Sequence, residues 1–153
     1  MTDDEKWYRV SLRAGGSDME PDEWTKSLEL APRYSALAGE HIRQNPRYAR
    51  HRTSIWTHDV TGDDPSVPFA DQIPPLLDHL EARSAQLARL LARGDVEAQL
   101  FLGFSSGNGQ GGAFFSPDLV ARIGSLGLAI SLDLYPPSRT LALRRYKRAR
   151  ANK

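Results

Sequence analysis

Ser131, Asp133 and Tyr135 occupy alternate positions near the end of the sequence, and they are the first residues in which chemistry can be sought. Alternate residues of an extended chain share a face. A carboxylate flanked by a hydroxyl and a phenol would therefore put an acceptor beside two donors. Arg9 and Arg13 have a matching phase in an earlier extended segment, Trp7–Ala14. With Glu97, Gln99 and Phe101 they form the candidate lining of an open sheet face of mixed charge and aromatic character, the best binding surface the sequence offers. An ordinary solvated sheet face accounts for the same pattern.

The other candidates have simpler explanations. Ser105–Gly112 is rich in glycine, and backbone N–H groups in such loops can cradle anions. It lacks the Gly-Lys-Ser/Thr ending of a phosphate loop and leads into a short extended segment, so it reads as a hairpin turn. The four histidines, His41, His51, His58 and His79, have no H-x-x-H or H-E-x-x-H spacing. His58-Asp59 could form an acid–base pair, but a surface strand end is the commoner explanation. Asp18, Glu20, Asp22 and Glu23 lack the ordered spacing of a calcium loop and suit the positive end of a helix. Cysteine is absent, which removes thiolate nucleophiles, thiolate metal sites and disulfides. Gly103-Phe104-Ser105-Ser106-Gly107 and Gly107-Asn108-Gly109-Gln110-Gly111-Gly112 match the strings G-x-S-x-G and G-x-G-x-x-G, but neither leads directly into a helix, as a nucleophile elbow or a dinucleotide fingerprint requires. No metal and no cofactor is expected.

Charge is unevenly distributed. Seven cations and no acid fall in residues 138–153; subtracting seven from the formal net charge of +1 leaves −6 for residues 1–137. Arg144, Arg145, Lys147 and Arg148 are the centre of this basic tail, a candidate contact for nucleic acid or an acidic partner. A solvated tail is the competing reading. The start of the sequence is acidic without an apolar run, and no stretch is long enough to span a bilayer, so the expectation is a cytoplasmic protein. The 153 residues divide into a single domain, 1–137, and the tail, 138–153.

Hydrophobic spacing supplies the elements that must hold these residues. Trp7–Ala14 alternates as a strand, broken at Gly15-Gly16. Pro21 opens a short helix to Leu28 with Trp24 and Leu28 inward. Residues 29–50 read as a loop with one extended segment. Thr53–Val60 is a second strand. A long leucine helix is expected over 73–93, with Pro74 and Pro75 in its first turn and Gly94 beyond its end. Val96–Phe104 is a third strand, and Gln110–Phe115 is expected to pair back on it as a hairpin. Ser116-Pro117-Asp118 caps a helix that ends at Gly127. In the last strand, Leu128, Ile130, Leu132 and Leu134 are expected to face the core.

The sum is an α+β two-layer sandwich: a mainly antiparallel sheet with about three helices packed on one face. Three stretches resemble a bacterial family described as domain of unknown function 4279. They are Val10-Ser11-Leu12 through Pro21-Asp22-Glu23, the leucine helix before Gly94, and Gly112–Leu119 leading to Leu132-Asp133-Leu134-Tyr135. The resemblance covers most of 7–135, implies a small α+β domain, and supplies no catalytic residues. The functional expectation is a non-enzymatic binding or interaction module, possible as an immunity-type protein that masks a toxin. The alternatives are association with nucleic acid or an acidic partner through the tail, and an enzyme using the polar sheet face. Either a monomer or a homodimer paired through an exposed edge strand fits the sequence.

Overall fold

The computed structural model describes residues 5–136. Strand β1 (Lys6–Gly16) is the centre of a five-stranded sheet. It pairs antiparallel with β3 (Ser54–Asp59) on one side and β4 (Glu97–Ser106) on the other. The short β2 (Tyr34–Ala36) extends the β3 side antiparallel, and β5 (Ala129–Tyr135) extends the β4 side in parallel. The strand order is β2-β3-β1-β4-β5.

Alternation along β1 decides which face is covered. Val10, Leu12 and Ala14 are buried beside Ala98, Leu100 and Leu102 of β4. Onto this face pack α1 (Pro21–Leu28), α2 (Phe69–Glu81), α3 (Ser84–Leu91) and α4 (Pro117–Ser125). Trp24 of α1 meets Trp56 of β3 with ring centroids 5.7 Å apart, and the Trp56 indole N–H donates to the Thr25 hydroxyl at 3.0 Å. Fully buried leucines such as Leu12 and Leu77 each contribute about 1.5–3 kcal/mol. The fold class is thus as expected, an α+β sandwich, with four α-helices among the described residues in place of about three.

Three local expectations are corrected. The helix expected over 73–93 is two helices. It begins four residues earlier, at Phe69, and breaks at Ala82-Arg83. Pro74 and Pro75 therefore lie inside α2. The carbonyls that they deprive of helical donors belong to Ala70 and Asp71, both exposed, where water can serve them.

The expected strand at Gln110–Phe115 is irregular chain. Both edges of β4 are already occupied at that end, Ser106 by Lys6 and Ser105 by Tyr135. Gly109 and Gly111 have φ of 72° and 141°, and Phe115 leaves the sheet to stack on Phe69 in the helix layer.

The third correction concerns β5. Ile130, Leu132 and Leu134 do point to the helix side, opposite Leu100, Leu102 and Phe104. Only Leu128, at the start, is buried; the other three are 43%, 56% and 65% exposed. Arg122 of α4 reaches Asp78 and Glu81 of α2 at 2.6 and 2.5 Å. That seats α4 toward α2, and no helix among the described residues covers the outer row of β5.

Other expectations hold. The Ser116 hydroxyl accepts from the Leu119 N–H at 3.1 Å, capping α4. Gly127 takes φ +77° at the helix exit.

Candidate binding face

The face of the sheet away from the helices carries the predicted site residues together. Odd positions of β1 place Trp7, Arg9, Ser11 and Arg13 there. Registration across β4 then aligns Arg9 with Gly103 and Asp133, Ser11 with Phe101 and Ser131, and Trp7 with Ser105 and Tyr135. Arg9, Arg13, Ser131, Asp133 and Tyr135 thus share one surface spanning three strands. Ser131 and Asp133 are half-buried, more covered than Leu132 and Leu134 beside them.

Gly103 sits in the middle of this surface. A side chain there would project between the rings of Trp7 and Tyr135, each 3.4 Å from the Cβ position. The absence of that side chain lets the two rings approach to 5.1 Å between centroids. The Arg9 guanidinium lies 5.4 Å from the Trp7 ring centroid, and that of Arg13 lies 3.4 Å from the Phe101 centroid. The Arg13 Nε also donates to the Ser11 hydroxyl at 3.3 Å.

Asp59 and Asp133, two acids of this face, are engaged by side chains other than Arg9 and Arg13. Arg33, from the loop before β2, pairs with Asp59 at 3.1 Å. Asp133 accepts a hydrogen bond from the Tyr135 hydroxyl; that bond, with burial and the carboxylate's charge, raises the Tyr135 pKa above its ordinary value. Burial is the main cause that lowers the pKa of Arg13, opposed by Tyr135, Asp59 and Asp133. Among the described residues, neither Arg9 nor Arg13 has a carboxylate within ion-pair distance.

Two depressions indent the face. One of about 500 Å³ is lined by Trp7, Arg9, Arg13, Arg33, Phe101 and Tyr135 among others. The second, about 870 Å³, lies at the other end of the strands between Ile55, Thr57, Glu97, Gln99 and Ala129, and shares Arg13 with the first.

The remaining candidates are not brought together. His58 and Asp59 point to opposite faces: the His58 Nδ1 is 2.7 Å from the Ala31 carbonyl, while Asp59 holds Arg33. Glu23 of the acidic helix start pairs with Arg93 at 2.8 Å. Within the glycine-rich loop, the Asn108 side-chain oxygen Oδ1 accepts from the Ser106 hydroxyl and from the Gln110 N–H, an internal turn. Among the described residues no group of three His, Asp or Glu side chains is placed to hold a metal ion. No helix among them is long and apolar enough to cross a membrane. Arg144, Arg145, Lys147 and Arg148 lie outside the described residues.

Trp7, Arg33 and Gly103 belong to the face but were not among the predicted site residues. The phase it shares with Arg9 identifies Trp7. Arg33 lies in a loop whose path no spacing reveals, and Gly103 matters only through its neighbours on other strands.

Comparison with curated proteins and with solved structures finds no match. A family model does match, over residues 5–137, which spans the whole sheet and every helix described above. The chain belongs to the family described as Domain of unknown function (DUF4279).

Proposed function

We propose that this domain is a non-enzymatic binding module that docks an acidic partner protein on its open sheet face. One observation carries the reading: Arg9 and Arg13 present guanidinium groups on a concave surface, each against an aromatic ring and neither paired with a carboxylate among the described residues. Arginine held against a ring offers a preorganised fork to carboxylates and loses little freedom on binding. Aromatic side chains and arginine are the residue types that dominate binding hot spots.

Tyr135 stays protonated on this face. Its hydrogen bond to Asp133 favours the protonated phenol, which suits a donor and not a base at neutral pH. Stoichiometric masking of a toxin, as by an immunity protein, is one form of this reading.

The test is capture of partners from the native host by the full chain, by an Arg9→Glu/Arg13→Glu variant, and by a variant lacking residues 138–153. The reading expects a stoichiometric protein partner that the charge reversal loses and the truncation keeps. Capture that survives the reversal but not the truncation would assign the contact to the basic tail instead.

A further inference from the structure

β5 combines two features that the open face does not use. It is an outer strand of the sheet, paired to β4 through seven positions from Ala129 to Tyr135. Its other edge therefore offers backbone N–H and C=O groups with no strand beside them among the described residues. On the same strand, Ile130, Leu132 and Leu134 form an exposed apolar row. Edge strands are commonly protected by lysine, proline or a bulge; Ala129–Tyr135 contains none of these, and Asp133 is its sole charge. The opposite edge of the sheet, β2, has three residues and no comparable row.

We propose that β5 pairs antiparallel with β5 of a second copy of this chain, about a two-fold axis at Leu132. The strand is self-complementary around that residue. One step to either side stand Ser131 and Asp133, and two steps away stand Ile130 and Leu134. Antiparallel pairing sets Leu132 against the partner's Leu132 and Ile130 against the partner's Leu134, which covers the apolar row of both copies. On the other face it sets Asp133 against the partner's Ser131, a hydroxyl donor facing a carboxylate. Moving the axis one residue, to Asp133, would place two carboxylates opposite each other, so charge selects the register. An isologous contact of this kind closes as a dimer and does not propagate. It joins two sheets into one of ten strands and sets the two open faces side by side. The pairing does not depend on those faces binding anything.

Light scattering coupled to size exclusion on the full chain tests the proposal across a roughly hundredfold dilution range, since dimer population follows mass action. The expected mass is twice 17.0 kDa at high concentration. Leu132→Glu puts two carboxylates at the axis and is expected to give a monomer with unchanged circular dichroism, because the side chain is exposed in the single copy. Two further variants probe the register. Ser131→Asp is expected to weaken the dimer about tenfold and Ser131→Lys to strengthen it, each through two symmetry-related cross-strand pairs.

A monomer at every concentration overturns the proposal. So does a dimer indifferent to Leu132→Glu. A chain that dimerises only after removal of residues 138–153 would show that its own tail covers the row, and would also overturn it. Equal shifts from Ser131→Asp and Ser131→Lys would overturn the register.

Discussion

The Arg13 guanidinium carbon lies 3.4 Å from the centroid of the Phe101 ring on the neighbouring strand. Arg13 is registered with Gln99 and Ser11 with Phe101, so the contact is diagonal across the ladder. Long side chains reach along that diagonal. Phe101→Leu keeps most of the apolar area but removes the ring's negative face. The expected loss of stability is about 0.5–1 kcal/mol, the range for a partly exposed cation–π pair. Urea denaturation measures it. Partner capture should fall as well, because the guanidinium is no longer held by the ring.

Gly103 makes a graded prediction possible. A methyl group there would meet Trp7 and Tyr135 at 3.4 Å, an ordinary contact distance. Gly103→Ala is therefore expected to change stability by less than about 1 kcal/mol. Gly103→Val needs space the two rings now occupy. It should part them, change the Trp7 fluorescence and weaken partner capture more than it lowers the unfolding midpoint.

Acid should release one specific tie. The Asp95 carboxylate accepts from the Ser17 hydroxyl at 2.7 Å and from the Ser17 N–H at 2.9 Å, joining the end of β1 to the turn before β4. These bonds lower the Asp95 pKa below its ordinary value of 3.8, the side-chain bond most. A depressed folded-state pKa means stability that is present above the unfolded value and lost as pH falls through the folded one. The midpoint difference between the wild type and Asp95→Asn is thus expected to be largest at neutral pH and to shrink below pH 3.8. A difference that stays constant through that range would contradict the assignment.

Gln72 is a buried amide in helix α2 with its hydrogen bonds made. Its Nε2 donates to the Tyr8 and Val67 carbonyls at 3.0 and 2.6 Å, and its Oε1 accepts from the Thr61 hydroxyl at 2.8 Å. Gln72→Leu leaves these partners without the amide. The expected cost is about 1–3 kcal/mol, read as a fall in the thermal midpoint. Tyr8 neighbours Trp7, so the loss should also loosen the start of the binding face.

Elements defined by local alternation or capping were legible in the sequence. β1 and β4 follow from period-two spacing, β3 from its β-rich composition, and α4 from Ser116, Pro117 and Gly127. What failed depended on contacts distant in sequence. Alternation shows that the two faces of β5 differ, but not that α4 leans toward α2 and leaves Leu132 and Leu134 bare. Turn residues after Ser106 suggested a hairpin, because local chemistry cannot show that β1 and β5 already fill both edges of β4. The five predicted body residues of the site share a face because strand parity is readable in the sequence. Arg33 was missed because a loop brings it there.

Hydroxyl-radical footprinting of the captured complex tests the central claim most directly. Side-chain oxidation reports exposure at Trp7, Phe101 and Tyr135, the aromatic residues around Arg9 and Arg13. The account predicts that all three become protected when the partner binds, while Tyr48 and Phe114, exposed elsewhere, stay reactive. Protection of Phe114 or Tyr48 with Trp7 and Tyr135 unchanged would place the partner on another surface and contradict the account.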